Sequence, residues 1–99
     1  SKAKEQFKVL INTDKDNHMV LFYLAISCVE LEDFSQAEKY LNQLIKKPNH
    51  IFWEQAYWYL SLVYLQQEEY EKAKMLLQAI VKESYSYASR AEKILKQLD

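Results

Sequence analysis

Ala37, Tyr40, Leu41, Leu44 and Ile45 fall at i, i+3, i+4, i+7 and i+8, the spacing of one helical face. Thirty-six residues later the same spacing meets Ala73, Leu76, Leu77, Ile80 and Val81, again all apolar. Thirty-four residues earlier it meets Ala3, Gln6, Phe7, Leu10 and Ile11, apolar at every place but Gln6. A second stripe recurs as well. Leu21, Leu24, Ala25, Cys28 and Phe34 correspond to Tyr57, Leu60, Ser61, Tyr64 and Tyr70, and a further step reaches Ala91, Ile94, Leu95 and Leu98. The chain therefore reads as a single domain over 1–99. It starts with the second helix of a partial hairpin at 1–12, continues with hairpins at 17–47 and 51–83, and closes with a helix at 86–98. Each pair of helices has an apolar flank that only another pair can cover.

Local chemistry marks the breaks. "NTDKDN" at residues 12–17 is a polar interruption rich in helix-capping residues. Asp33 stands three residues before Gln36, a loose form of the capping box. "KKPNH" at 46–50 ends a helix with two cations near its negative end, followed by Pro48. "ESYSY" at 83–87 offers Ser84 or Ser86 as a cap for the closing helix. The chain has no glycine and one proline. Glycine-rich phosphate loops are thereby excluded, a sheet-rich or loop-rich domain is disfavoured, and helices joined by short turns are favoured.

Tyr57, Leu60, Ser61, Tyr64, Tyr70 and Ala73 follow the order large, Leu, small, Tyr, aromatic, Ala, and Leu21, Leu24, Ala25, Cys28, Phe34 and Ala37 follow it loosely. This order, at a spacing of 34 to 36 residues, resembles the tetratricopeptide repeat over essentially the whole chain. The usual glycines are replaced by Ala25 and Ser61 where helices cross, and by Glu32 and Glu68 at the turns. The family's proline falls at Asn49 and Tyr85, with Pro48 one place early. The resemblance implies an all-α, right-handed stack of antiparallel helical hairpins, an α-solenoid of about two full repeats with flanking helices. The opening "SKAKEQF" reads as the interior of a longer protein.

In proteins of this family the first helix of each unit lines a concave groove that holds peptides. Carried onto this chain, the resemblance implies a lining of Met19, Phe22, Tyr23 and Ile26 from one unit and Gln55, Trp58, Tyr59 and Leu62 from the next. Periodicity raises the same residues independently. The core stripe of the helix at 51–65 is supplied by Tyr57, Leu60, Ser61 and Tyr64, which leaves Trp58, Tyr59 and Leu62 outside it. A helix apolar on nearly every side needs cover on every side. Three arrangements provide it: burial by neighbouring repeats in a purely structural scaffold, capture of a partner protein or peptide with apolar anchors, or pairing with a second copy as a homodimer. If a partner covers it, Trp58→Ala lowers binding and leaves the fold intact. One well-known subset of the family grips a carboxylate with cations on its first helices. The matching positions here are Phe22, Ile26 and Tyr59, so that ligand class is not expected.

Thirteen basic and fourteen acidic residues leave a net charge of -1, without a polybasic block. Nucleic acid is therefore not expected as a partner. The longest apolar run, Met19 to Val29, is eleven residues interrupted by Ser27, too short for a membrane span of about 20 residues, so direct membrane insertion is not expected. A soluble domain, cytoplasmic or periplasmic, is expected. The resemblance adds bacterial multi-domain and membrane-tethered proteins as settings for the parent. Cys28 is the lone thiol and lies on a core stripe, while His18 and His50 sit far apart in polar stretches. Glu30, Glu32, Asp33, Glu68, Glu69 and Glu71 are placed at hairpin turns, where acidic groups favour helix starts without any catalytic role. No enzyme activity, cofactor or metal is expected. Tyr85 and Tyr87 read as packing over the preceding hairpin, with interface anchoring the lesser alternative.

Overall fold

The periodic segments form five helices in the computed structural model, which describes residues 18–47, 51–83 and 85–98. They are α1 His18–Glu30, α2 Phe34–Ile45, α3 Trp53–Gln66, α4 Tyr70–Lys82 and α5 Ala88–Leu98. The helix expected over 1–12, the break at 12–17, Pro48–His50 and Ser84 lie outside the described residues. Among the described residues there is no strand. Each helix packs chiefly against its neighbours in sequence, α1 on α2, α2 on α3, α3 on α4 and α4 on α5. The result is an all-α stack of helical hairpins, a repeat solenoid.

Both hairpins turn through the same hydrogen bonds. Asp33 N donates to Cys28 O at 2.8 Å and Glu32 N to Val29 O at 3.0 Å; Glu69 N donates to Tyr64 O at 2.8 Å and Glu68 N to Leu65 O at 3.1 Å. This pair of bonds, reaching back six-to-one and five-to-two, ties off carbonyls that a helix end leaves without partners. It requires a left-handed residue in the middle. Glu32 at φ 59° and Glu68 at φ 60° occupy that place. These are the two positions where the family's turn glycine is missing, so each side chain accepts a conformation that a Cβ disfavours.

The capping box foreseen at the start of α2 closes on one side. Asp33 Oδ1 accepts from Gln36 N at 3.4 Å. The reciprocal bond would need the Asp33 amide, which already donates to Cys28 O. The turn and the box compete for one N–H, and the turn takes it. At the start of α4 the equivalent Glu69 makes no side-chain cap bond. It pairs instead with Lys72 Nζ at 2.8 Å.

Alanine stands one turn inside four helix starts. Ala37 N donates to Asp33 O, Ala56 N to Phe52 O, Ala73 N to Glu69 O and Ala91 N to Tyr87 O, at 2.8 to 3.1 Å. All four are completely buried. A methyl group there lets the beginning of a helix lie close against its neighbour. Ala25 and Ser61, the small residues at the crossings, are buried too, and Ser61 Oγ satisfies itself on Trp58 O at 2.6 Å. Around these contacts Leu24, Leu41, Leu44 and Leu60 fill one core, while Leu77, Ile80 and Ala91 fill a second beneath α5.

Aromatic and polar contacts fix the junctions between units. Trp53 Nε1 donates to Ile45 O at 3.1 Å, tying α3 to the end of α2. Its ring meets Tyr57 at 5.5 Å and Tyr85 at 5.5 Å, and Tyr57 meets Tyr85 at 5.8 Å. Glu54 Oε1 accepts from Ser86 N at 2.7 Å and Ser86 Oγ at 3.3 Å. The Ser86 hydroxyl is thus turned toward α3 and does not cap α5. Tyr85 and Tyr87 pack against the second core.

Replacing Glu32 or Glu68 by glycine removes the left-handed strain while adding chain entropy to the unfolded state. Each change should stabilise the domain by about 0.5–1 kcal/mol, seen as a higher urea midpoint. A lower midpoint would show that the glutamate side chains contribute more than their backbone costs. The buried ring of Tyr64 gives a second expectation. Burial raises its hydroxyl above the ordinary value of 10.0, the hydrogen bond with Asn42 opposes that rise, and the Glu38 carboxylate adds to it. Tyr85 is raised in the same direction, first by burial. A phenol whose folded pKa lies above its unfolded one keeps its proton longer in the native state. Stability should therefore be level below the ordinary tyrosine range and fall as pH rises through it. Alkaline unfolding followed by circular dichroism tests this, and Tyr64→Phe should flatten the fall.

Candidate partner-binding face

α1 and α3 are apolar on more than one side, and the structure shows what each side meets. Leu21, Leu24, Ala25 and Cys28 of α1 enter the first core. Phe22 leaves that stripe and stacks on Phe52, centroid to centroid 4.7 Å and 14° from parallel. Tyr59 meets the same ring edge-on at 5.9 Å. Backbone approach between α1 and α3 is slight, so these two helices touch chiefly through side chains.

The eight residues expected on this face separate into three groups. Phe22, at 7% exposure, and Trp58, at 8%, are core residues. Trp58 lies flat on Tyr87 at 5.0 Å and 2°, with the Arg90 guanidinium 5.8 Å from the tyrosine ring. Part of the aromatic surface is therefore covered from within, by Phe52 on one side and by the segment before α5 on the other. Ile26, Gln55, Tyr59 and Leu62 are half-buried. Met19 at 51% and Tyr23 at 47% are open to solvent. Phe22, Tyr23 and Tyr59 form a connected aromatic group, with Tyr23 6.0 Å from Phe22. Trp58 belongs to the separate cluster under α5, while Tyr59 packs against both cores.

Between α1 and α3, at the hairpin-turn end, the slight backbone approach leaves a cavity of about 360 Å³. Tyr59, Leu62, Val63 and Gln66 of α3 form one wall, and Val29, Glu30, Glu32 and Phe34 form the other. Of these, Tyr59 and Leu62 were expected on a binding face. Glu30 and Glu32 belong to the expected turn and Phe34 to the second stripe, while Val29, Val63 and Gln66 carry no expectation from the sequence. Their signal was present, because the Met19, Tyr23, Ile26 stripe continues one turn further to Val29 and Glu30, and Tyr59, Leu62 continues to Gln66.

The one thiol, Cys28, is fully buried within the first core. Among the described residues no group of three or more His, Cys, Asp or Glu side chains converges to hold a metal ion. No described helix is long and apolar enough to cross a membrane.

A tetratricopeptide repeat family model matches residues 19–50 and 55–85, more than half of the chain. Its two matches coincide with the two hairpins, α1–α2 and α3–α4. No curated protein and no solved structure matches the chain.

The burial of Trp58 changes what its truncation should do. Trp58→Ala removes a ring packed between α3 and the Tyr87 segment. It is expected to destabilise the domain by about 3–5 kcal/mol and to loosen α5 first. Denaturant unfolding and amide exchange in α5 measure both effects. An unchanged midpoint would return Trp58 to the surface.

Proposed function

This chain belongs to the tetratricopeptide repeat family, and on that premise we propose that it is a non-catalytic module that captures a segment of a partner protein along the face shared by α1 and α3. Repeats of this family generally mediate protein–protein interaction. The observation that carries the reading here is an apolar strip on the surface of the described residues: exposed Met19 and Tyr23 beside half-buried Ile26, Tyr59 and Leu62, running into the cavity. Contiguous apolar surface of this kind marks interaction sites on otherwise polar proteins. Met19, Tyr23, Ile26, Gln55, Tyr59 and Leu62 contact the partner. Phe22 and Trp58 support them from beneath, holding Tyr59 and the α3 backbone in place.

Leu62 is the residue to test, since it lines the cavity without belonging to the buried set. Immobilised wild type and Leu62→Asp are compared for proteins retained from the host cell's lysate, with circular dichroism confirming equal helix content. At least one protein held by the wild type should be lost by the variant, and reconstituted binding of that purified protein should weaken on the order of tenfold or more, as for an apolar anchor of 1.4 kcal/mol or above. Identical retention by both forms removes the proposal. Light scattering over a concentration series separates the homodimer: a mass that rises with concentration in the wild type and stays monomeric in Leu62→Asp assigns the strip to self-pairing instead.

A further inference from the structure

The cavity between α1 and α3 has a second chemistry at its mouth. Its walls are apolar, with Val29, Phe34, Tyr59 and Leu62 around buried Val63. Its rim carries Glu30 and Glu32, both exposed. Neither carboxylate enters an ion pair among the described residues, and no cation lines the opening. Two helix ends add to this charge. α1 finishes at Glu30 and α3 at Gln66, and neither has a basic residue in its last turn. The partial negative charge of both C-termini therefore lies at the same opening. The positive starts of α2 and α4 stand at the same turn end, the first met by the Asp33 carboxylate and the second carrying Glu69 and Glu71. An apolar recess under an anionic rim selects against acidic ligands and in favour of a greasy side chain with cations beside it.

We infer that this cavity receives an apolar anchor of a partner segment carrying lysine or arginine on its flanks, the anchor filling the space between Phe34 and Leu62 and the cations reaching Glu30 and Glu32. The inference rests on the reading of the α1–α3 face as a partner-binding surface and adds the chemistry of what binds. The lining is specific to the turn end, since Phe34 comes from the second helix of its hairpin. Glu32 is held in place by the turn itself, because its amide is bonded to Val29 O and its backbone is left-handed. The turn thus fixes where on the rim the Glu32 side chain begins.

The probe is a labelled peptide with a central Leu-Phe pair flanked on each side by two lysines, alongside a twin in which glutamates replace the lysines. Fluorescence anisotropy follows both against the wild-type chain and against the double variant Glu30→Lys, Glu32→Lys. Both substitutions are at exposed positions, and circular dichroism reports on the fold. The lysine peptide should bind the wild type in a salt-sensitive manner, at least tenfold more tightly than its twin. The double variant should weaken it on the order of tenfold and strengthen the glutamate twin. Equal affinity of the two peptides for the wild type overturns the inference, as does an unchanged affinity for the double variant. If the lysine peptide does not bind while Leu62→Asp still abolishes partner capture, the charge assignment falls and the binding face stands. A wild-type dimer that the double variant dissolves gives the cavity to a second copy and also overturns it.

Discussion

A helix with apolar side chains all around it cannot be left half-wet, and α1 and α3 are both of this kind. Each needs cover on the side facing its own hairpin partner and on the side facing the next unit. The first need is met by leucines and small residues in the cores. The second is met by aromatic rings laid across the junctions: Phe52 on Phe22 and Tyr87 on Trp58. The stack of hairpins follows from this requirement.

The turns show how the same architecture is reached without its usual residue. Glycine is absent from the whole chain, yet both hairpins keep the left-handed turn, with Glu32 and Glu68 in the demanding position. The backbone bonds to Cys28 and Tyr64 outweigh the steric cost of a Cβ there. A charged side chain results at each turn, where a glycine would have left bare backbone. At the first turn that charge stands on the rim of a cavity. A substitution unfavourable for the fold is thereby placed where it shapes the surface.

Much of this was readable in the residues. The five-from-five repetition of Ala37, Tyr40, Leu41, Leu44 and Ile45 at Ala73, Leu76, Leu77, Ile80 and Val81 requires equivalent helices, and Ala37 and Ala73 do occupy matching buried places. The turn positions were found by spacing, although their left-handed backbone was not, because glutamate carries no signal for it. Sorting the aromatic face was harder. Trp58 and Tyr59 are adjacent in sequence and both lie off the core stripe, but which of them is covered depends on Tyr87, nearly thirty residues away. Periodicity identifies a side of a helix and cannot say what another helix brings to it. The cavity was invisible for a related reason: it arises where two backbones fail to approach, and no single residue records a gap.

The chain has two tryptophans, and they stand at different joints. Trp53 is hydrogen-bonded to Ile45 O at the seam between the two hairpins, while Trp58 lies on Tyr87 at the seam with the final helix. Each indole is thus a built-in lamp for one hinge of a molecule whose parts touch mainly their immediate neighbours. With one of them replaced by phenylalanine, emission from the other distinguishes opening at the middle of the array from fraying at its tail.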